Sequence, residues 1–291
     1  MDAVPMLFIE SICALLSKDS IRRLKGCRSA VWQKGAEHML AVMKGIHITV
    51  RVPSRSEPPL YRYNIWESKS VTPFRELRSL NDLRKIRYAR VSIGISSRNL
   101  AAEESANVDG IKLLFTSASA RNVESLCMYG VYRFPSLFLN FFPCSVNTIK
   151  IWKCTFGADS TFAQWLRRTL RLHSLQELTA EWITVEGRKE DVEEDLLHQL
   201  LMYGKGLNIT LAGNYNFTNL NAKSLQNVLD LWMNLEKPFP RAITYGLPHN
   251  CDQIFNFLLS NYFKNEEILR HKSGSGMVTW NRIYAEITFT P

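Results

Sequence analysis

Val4-Pro5-Met6-Leu7-Phe8-Ile9-Glu10-Ser11-Ile12-Cys13-Ala14-Leu15-Leu16 is the stretch on which the reading of this chain turns. Its apolar residues fall into two stripes, Phe8, Ile12, Leu15 and Ile9, Cys13, Leu16. Each has the i, i+4, i+7 spacing of one helix face. The spacing predicts a helix over 6–16, with Pro5 just before it. An ordinary surface helix has one apolar face, whereas a helix apolar nearly all round must be covered on both sides. A run this short at the opening of the sequence is not expected to be covered twice by its own chain. A partner is therefore expected.

Working outward, Ser17-Lys18-Asp19-Ser20 interrupts the helix with residues whose side-chain oxygens favour caps. Ile21 and Leu24 mark a short second helix, which Gly26 is placed to end. Ser29 is a candidate cap for a third helix carrying Trp32, Ala36, Met39 and Met43 on one face, with Gly45 as its stop.

This order resembles the F-box, whose pattern runs Leu-Pro, an apolar helix, a polar turn, an apolar pair and a late Trp. Here it reads Val4-Pro5, then Phe8, Ile12 and Leu15, then Ile21 and Leu24, then Trp32. The opening Met1 to Ser11 looks especially like the divergent F-box families expanded in nematodes. The spacing before Trp32 is compressed, and Cys27-Arg28-Ser29-Ala30-Val31 replaces the commoner Val-Cys-Arg-x-Trp form. The resemblance implies that residues 1–45 form a three-helix module docking on a Skp-family adaptor, which bridges to a cullin. The adaptor surface it implies is Pro5, Phe8, Ile9, Ile12, Leu15, Leu16, Ile21, Leu24 and Trp32, a set that mixes contact residues with their supports.

The remainder, 46–291, reads as α/β. Strands are expected at 46–52, 61–66 and 90–95, with a loop over 53–59 and a helix opening at Thr72-Pro73. Strand-like cores follow at 111–115 and 124–129. A looser periodicity then sets in, with Ile149, Leu178, Ile209 and Ile243 as strand markers 29, 31 and 34 residues apart. Helical stretches over 162–172, 192–203 and 222–235 lie between them, and another over 251–263 follows. Units of near-constant length suggest an irregular leucine-rich-repeat-like array, because a strand and helix with one apolar face each are buried only by stacking on neighbours. The strict Leu-x-x-Leu-x-Leu-x-x-Asn signature is absent, Leu175-Gln176-Glu177-Leu178 being its best fragment. A single α/β domain is the alternative. The alternating run 278–289 is expected to cap the array or form a terminal hairpin.

Composition bounds the function. The chain has 291 residues, 46% hydrophobic and 22% charged, with seven Trp, enough for a sizeable core and unlike a disordered chain. No apolar run reaches membrane-spanning length. Asp2 and Glu10 flank the first apolar run, unlike a secretory signal, so an intracellular protein, cytoplasmic or nuclear, is expected. Six scattered cysteines without a Cys-x-x-Cys pair are expected to be isolated thiols.

Motifs for catalysis are missing. No phosphate-cradling glycine motif, nucleophile elbow or paired histidine ligand spacing occurs, so neither an enzyme nor a metal or cofactor site is expected. The acidic run Glu190-Asp191-Val192-Glu193-Glu194-Asp195 suits the positive end of a helix dipole. The net charge of +9 arises within 1–145, which holds 21 Lys/Arg against 12 Asp/Glu. Its densest part is Arg75, Arg78, Arg84, Lys85, Arg87 and Arg90, expected to be a solvated helix face, with nucleic acid an unlikely partner for want of a base-reading motif. The function that the F-box resemblance implies is substrate recognition in an SCF-type ubiquitin ligase, with an unknown target held by 46–291. The alternatives are a repeat-type interaction scaffold without ligase coupling and a basic nucleic-acid-binding protein.

Overall fold

The computed structural model describes residues 4–16, 18–42, 44–51, 60–67, 70–71, 86–94, 123–132, 139–140, 142, 145–159, 161–172, 174–201, 206–246, 256, 260–263, 267–281, 283–284 and 286–291; over 44–94 it describes the backbone alone. The chain is mixed α/β with a large, mostly parallel sheet. Three helices come first: α1 (Met6–Leu15), α2 (Lys18–Lys25) and α3 (Ala30–Val42). Gly45 does not end α3. It lies inside the first strand, β1 (Lys44–Arg51), which begins two residues after the helix.

Among the described residues the sheet has twelve strands. The parallel core runs β1, β4 (Ile86–Gly94), β5 (Val123–Tyr129), β6 (Val146–Trp152), β8 (Glu177–Glu181), β10 (Leu207–Ala212) and β11 (Ile243–Gly246), side by side in chain order. Antiparallel strands finish both edges. On one side lie β2 (Leu60–Glu67) and β3 (Ser70–Val71); on the other lie β14 (Glu286–Thr290), β13 (Met277–Asn281) and β12 (Ile268–Arg270). The expected terminal hairpin is thus β13–β14, and it covers the edge of β11, where an open strand would invite foreign pairing. The expected segments 53–59, 72–80 and 111–115 lie outside the described residues, as do most of 251–263 and Arg75, Arg78, Arg84 and Lys85. Arg87 and Arg90 fall in strand β4 rather than on a helix.

A recurring unit spans β5 to β10. Around β6 the buried positions are Val146-x-x-Ile149-x-Ile151-x-x-Cys154-x-Phe156, and around β8 they are Leu175-x-x-Leu178-x-Ala180-x-x-Ile183-x-Val185. Each strand alternates, sending every second side chain inward. Each then ends in a residue with left-handed backbone at the equivalent register: Gly130 (φ 62°), Lys153 (φ 51°), Trp182 (φ 57°) and Gly213 (φ 65°). The turn brings the next segment onto its neighbour, with the Thr155, Thr184 and Tyr215 N–H groups donating to the carbonyls of Val131, Cys154 and Ile183. β7 (Thr155–Phe156) and β9 (Thr184–Val185) pair here as a second small sheet.

Helices α4 (Thr161–Arg171), α5 (Glu193–Leu200) and α6 (Ala222–Asn234) follow β7, β9 and β10. α4 buries Phe162, Ala163, Trp165, Leu166, Thr169 and Leu170, an i, i+3, i+4 stripe packed with the inner sheet residues. Asn221 caps α6 by accepting from the Ser224 N–H. Among the described residues the buried apolar side chains form two separate clusters. The large one unites the sheet and α4–α6; the small one is Ile9, Cys13, Ile21, Ala36 and Met39, within α1–α3. No helix among the described residues is long and apolar enough to cross a membrane.

Candidate functional site

The two stripes of α1 meet opposite environments. Ile9 and Cys13 are fully buried in the small core, and Gly35 of α3 admits Ile9: a Cβ at Gly35 would overlap the Ile9 side chain. Glu10 Oε1 lies 2.7 Å from His38 Nδ1 and fixes α1 against α3 at the surface. Lys25 pairs with Glu37 at 3.5 Å, and the Gln33 side chain donates to the Cys27 carbonyl at 2.6 Å, tying α2 and its turn to α3. Burial, with the Glu10 charge nearby, pushes the Cys13 thiol up, which suits a packing group rather than a nucleophile.

The other side of α1 faces outward. Phe8 keeps 53% of its surface exposed and Leu7 keeps 77%; Met6 and Pro5 are exposed beside them, and Ile12 is half-buried. The predicted adaptor residues therefore divide. Pro5, Phe8 and Ile12 line the open side, while Ile9 and Ile21 are core and act as supports. Leu16, Leu24 and Trp32 are half-buried at the margin of the small core. Leu15 is the last residue of α1, and its side chain lies outside the described residues. Sequence reasoning missed Leu7 and Met6, which the two chosen stripes left out; the signal was there, since Glu10 and Ser11 are the helix's only polar residues.

A second surface lies on the outward face of the parallel sheet. Tyr129, Trp152, Glu181 and Ala212 stand in register as the last residues of β5, β6, β8 and β10. Tyr129 and Trp152 have ring centroids 4.5 Å apart, and Lys153 Nζ sits 4.2 Å over the Trp152 ring. One residue further, Trp182 is 57% exposed and lies on the backbone of Gly213, where a Cβ would come within 2.7 Å of its ring. Tyr215 extends the row, 67% exposed. Further down the face the side chains are polar, with Lys150 paired to Glu177 at 2.7 Å. By contrast, Trp165, Trp232 and Trp280 are buried, so these five tryptophans divide into core and rim.

The acidic run is structural. Glu193, Glu194 and Asp195 occupy the first turn of α5. Arg167 of α4 approaches Glu190 at 3.6 Å and Asp195 at 3.4 Å, and Arg171 reaches Asp195 at 3.2 Å. Burial opposes the Asp191 charge, but the Glu193 N–H, the Thr218 hydroxyl and Lys189 hold its carboxyl below the usual range. Among the described residues no group of three His, Cys, Asp or Glu is placed to hold a metal ion. Cys154 is buried, donates to the Trp152 carbonyl at 3.4 Å, and is pushed up to about 11 by burial. No protein-family model matches the chain, and neither curated proteins nor solved structures provide a match.

Proposed function

We propose that this chain is a substrate-recognition subunit of an SCF-type ubiquitin ligase. Residues 1–45 dock on a Skp-family adaptor, and through it a cullin, while 46–291 holds a target protein. The chain carries out no catalysis in this reading. It acts by placing the target near a charged ubiquitin-conjugating enzyme, which raises the effective concentration of the reacting groups. The observation that carries the reading is the split environment of α1, with Ile9 and Cys13 sealed inside and Leu7 and Phe8 open. A three-helix unit with so small a core gains from a partner that covers its remaining apolar face.

We further read 46–291 as an irregular leucine-rich-repeat-like array. Three observations support this: parallel strands adjacent in chain order, the shared left-handed residue after β5, β6, β8 and β10, and the side chain of Asn214. Asn214 accepts from the Ile183 N–H and donates to the carbonyls of Ala180 and Thr218, stitching one turn to the previous one. In the leucine-rich-repeat pattern Asn or Cys stands at this place; here Cys154 and Asn214 do.

The competing reading, a scaffold without ligase coupling, makes α1 a cap with both stripes hidden, and the exposure of Leu7 and Phe8 weighs against it. Co-purification of the full chain with a Skp-family adaptor tests the proposal. Wild type is expected to retain the adaptor, and Phe8→Ala and Ile12→Ala to lose most of it. Unchanged recovery by both variants would overturn the assignment.

A further inference from the structure

We propose that the aromatic rim of the sheet recognises an arginine side chain of the target, with Glu181 as its counter-charge and Trp152 and Trp182 as its walls. This rests on the reading of 46–291 as a target-binding surface, but not on adaptor coupling.

Charge complementarity is the first argument. Among the described residues the Glu181 carboxylate has no ion pair, although it stands next to Trp152 in the register and directly before Trp182 in the chain. Its other registered neighbour is the small residue Ala212. An acid and two indoles on one rim offer what a guanidinium needs, a planar face to stack on and two acceptor oxygens in a fork. The face of Trp152 already attracts a cation, since Lys153 Nζ lies over it. A guest guanidinium displaces the Lys153 ammonium from that face and adds the carboxylate contact that Lys153 does not make.

Backbone conformation is the second argument. Of the four equivalent left-handed positions, glycine occupies 130 and 213, where it is at ease, while Lys153 and Trp182 hold theirs against steric cost. Those are the two side chains that border Glu181 and Trp152. A turn alone is served by glycine, so the indole and ammonium groups are what these positions add.

The test uses the full chain and the short peptide acetyl-Gly-Arg-Gly-amide, with its citrulline counterpart of equal shape and no charge. Binding is followed through the indole N–H resonances of the protein's seven Trp, with the Trp152→Phe and Trp182→Gly variants assigning two of them. Glycine suits the φ of residue 182, so Trp182→Gly is expected to fold, and unmoved resonances from the buried tryptophans verify this. The arginine peptide should shift the Trp152 and Trp182 signals saturably. Citrulline in the peptide, or Glu181→Gln in the protein, should each weaken binding about tenfold or more, as for loss of a charged hydrogen bond. Equal binding of the two peptides, an unaltered Glu181→Gln titration, or no saturable shift at these two indoles would overturn the proposal. Adaptor capture is read separately, so a failure here leaves the ligase reading standing, and the reverse.

Discussion

Replacing Phe8 by alanine separates the partner-facing role of α1 from its packing role. A fully covered phenylalanine removes roughly 200 Å² from water. With 53% of Phe8 still exposed, roughly 100 Å² is left for an adaptor to cover. At about 25 cal/mol per Å² that area is worth at most about 2.5 kcal/mol, or a factor of roughly 60 in dissociation constant. The expected loss is therefore about 1–2.5 kcal/mol. Ile9→Ala provides the contrast. Ile9 is sealed against Gly35, so truncation leaves a cavity and should cost about 2–5 kcal/mol of folding free energy. Calorimetric titration with a purified Skp-family adaptor, beside thermal unfolding of each variant, reads both quantities. Phe8→Ala should bind weakly while staying folded, and Ile9→Ala should lose folding of 1–45 first. An unaltered affinity for a well-folded Phe8→Ala protein would refute the reasoning.

Three further outcomes follow from the packing. Gly35→Ala should force α1 away from α3 and lower the stability of the helical module by about 1–3 kcal/mol, seen as earlier loss of helical signal on heating. Asn214→Ala leaves the Ile183 N–H and the Ala180 and Thr218 carbonyls without their side-chain partner, and should shift the urea midpoint by an amount equal to about 2–4 kcal/mol. The Asp191 carboxyl is held low in the folded state, so its charge stabilises above the unfolded value of about 3.9 and this contribution fades as pH falls through the lower folded value. Asp191→Asn keeps the acceptor but not the charge; its stability deficit at neutral pH should therefore close on acidification, and a deficit constant down to about pH 2 would contradict this.

How much of this was legible depended on the kind of signal. The three helices and most strands followed from periodicity, because burial imposes spacing on apolar residues whatever their partners. The division of α1 into a buried and an open stripe was legible as two stripes, yet which one faces outward was set by Gly35 on another helix, a contact remote in sequence. The unit around β6 and β8 was half visible. Ile149 and Leu178 stand out as strand markers, but Cys154 and Ile183, equivalent in the fold, share no residue type by which to match them, one being a thiol and the other a branched apolar residue. The rim was legible in part: Trp152, Trp165, Trp182, Trp232 and Trp280 all fall in periodic segments, as core residues or as anchors for a bound protein, and the sequence does not sort the two groups. Trp182 reaches the surface through a left-handed turn, which breaks the strand alternation from which its side would be inferred. Likewise, the acidic run was expected at a helix start, whereas its pairing with Arg167 and Arg171 comes from the packing of α4 beside α5.

Amide hydrogen exchange of the chain, alone and with a purified Skp-family adaptor, tests the central claim most directly. The account predicts a complex in which the α1 region, residues 5–15, gains strong protection, while β6, β8 and β10 stay as they were. A chain that forms no complex, or one whose adaptor protects the sheet and leaves α1 unchanged, would contradict it.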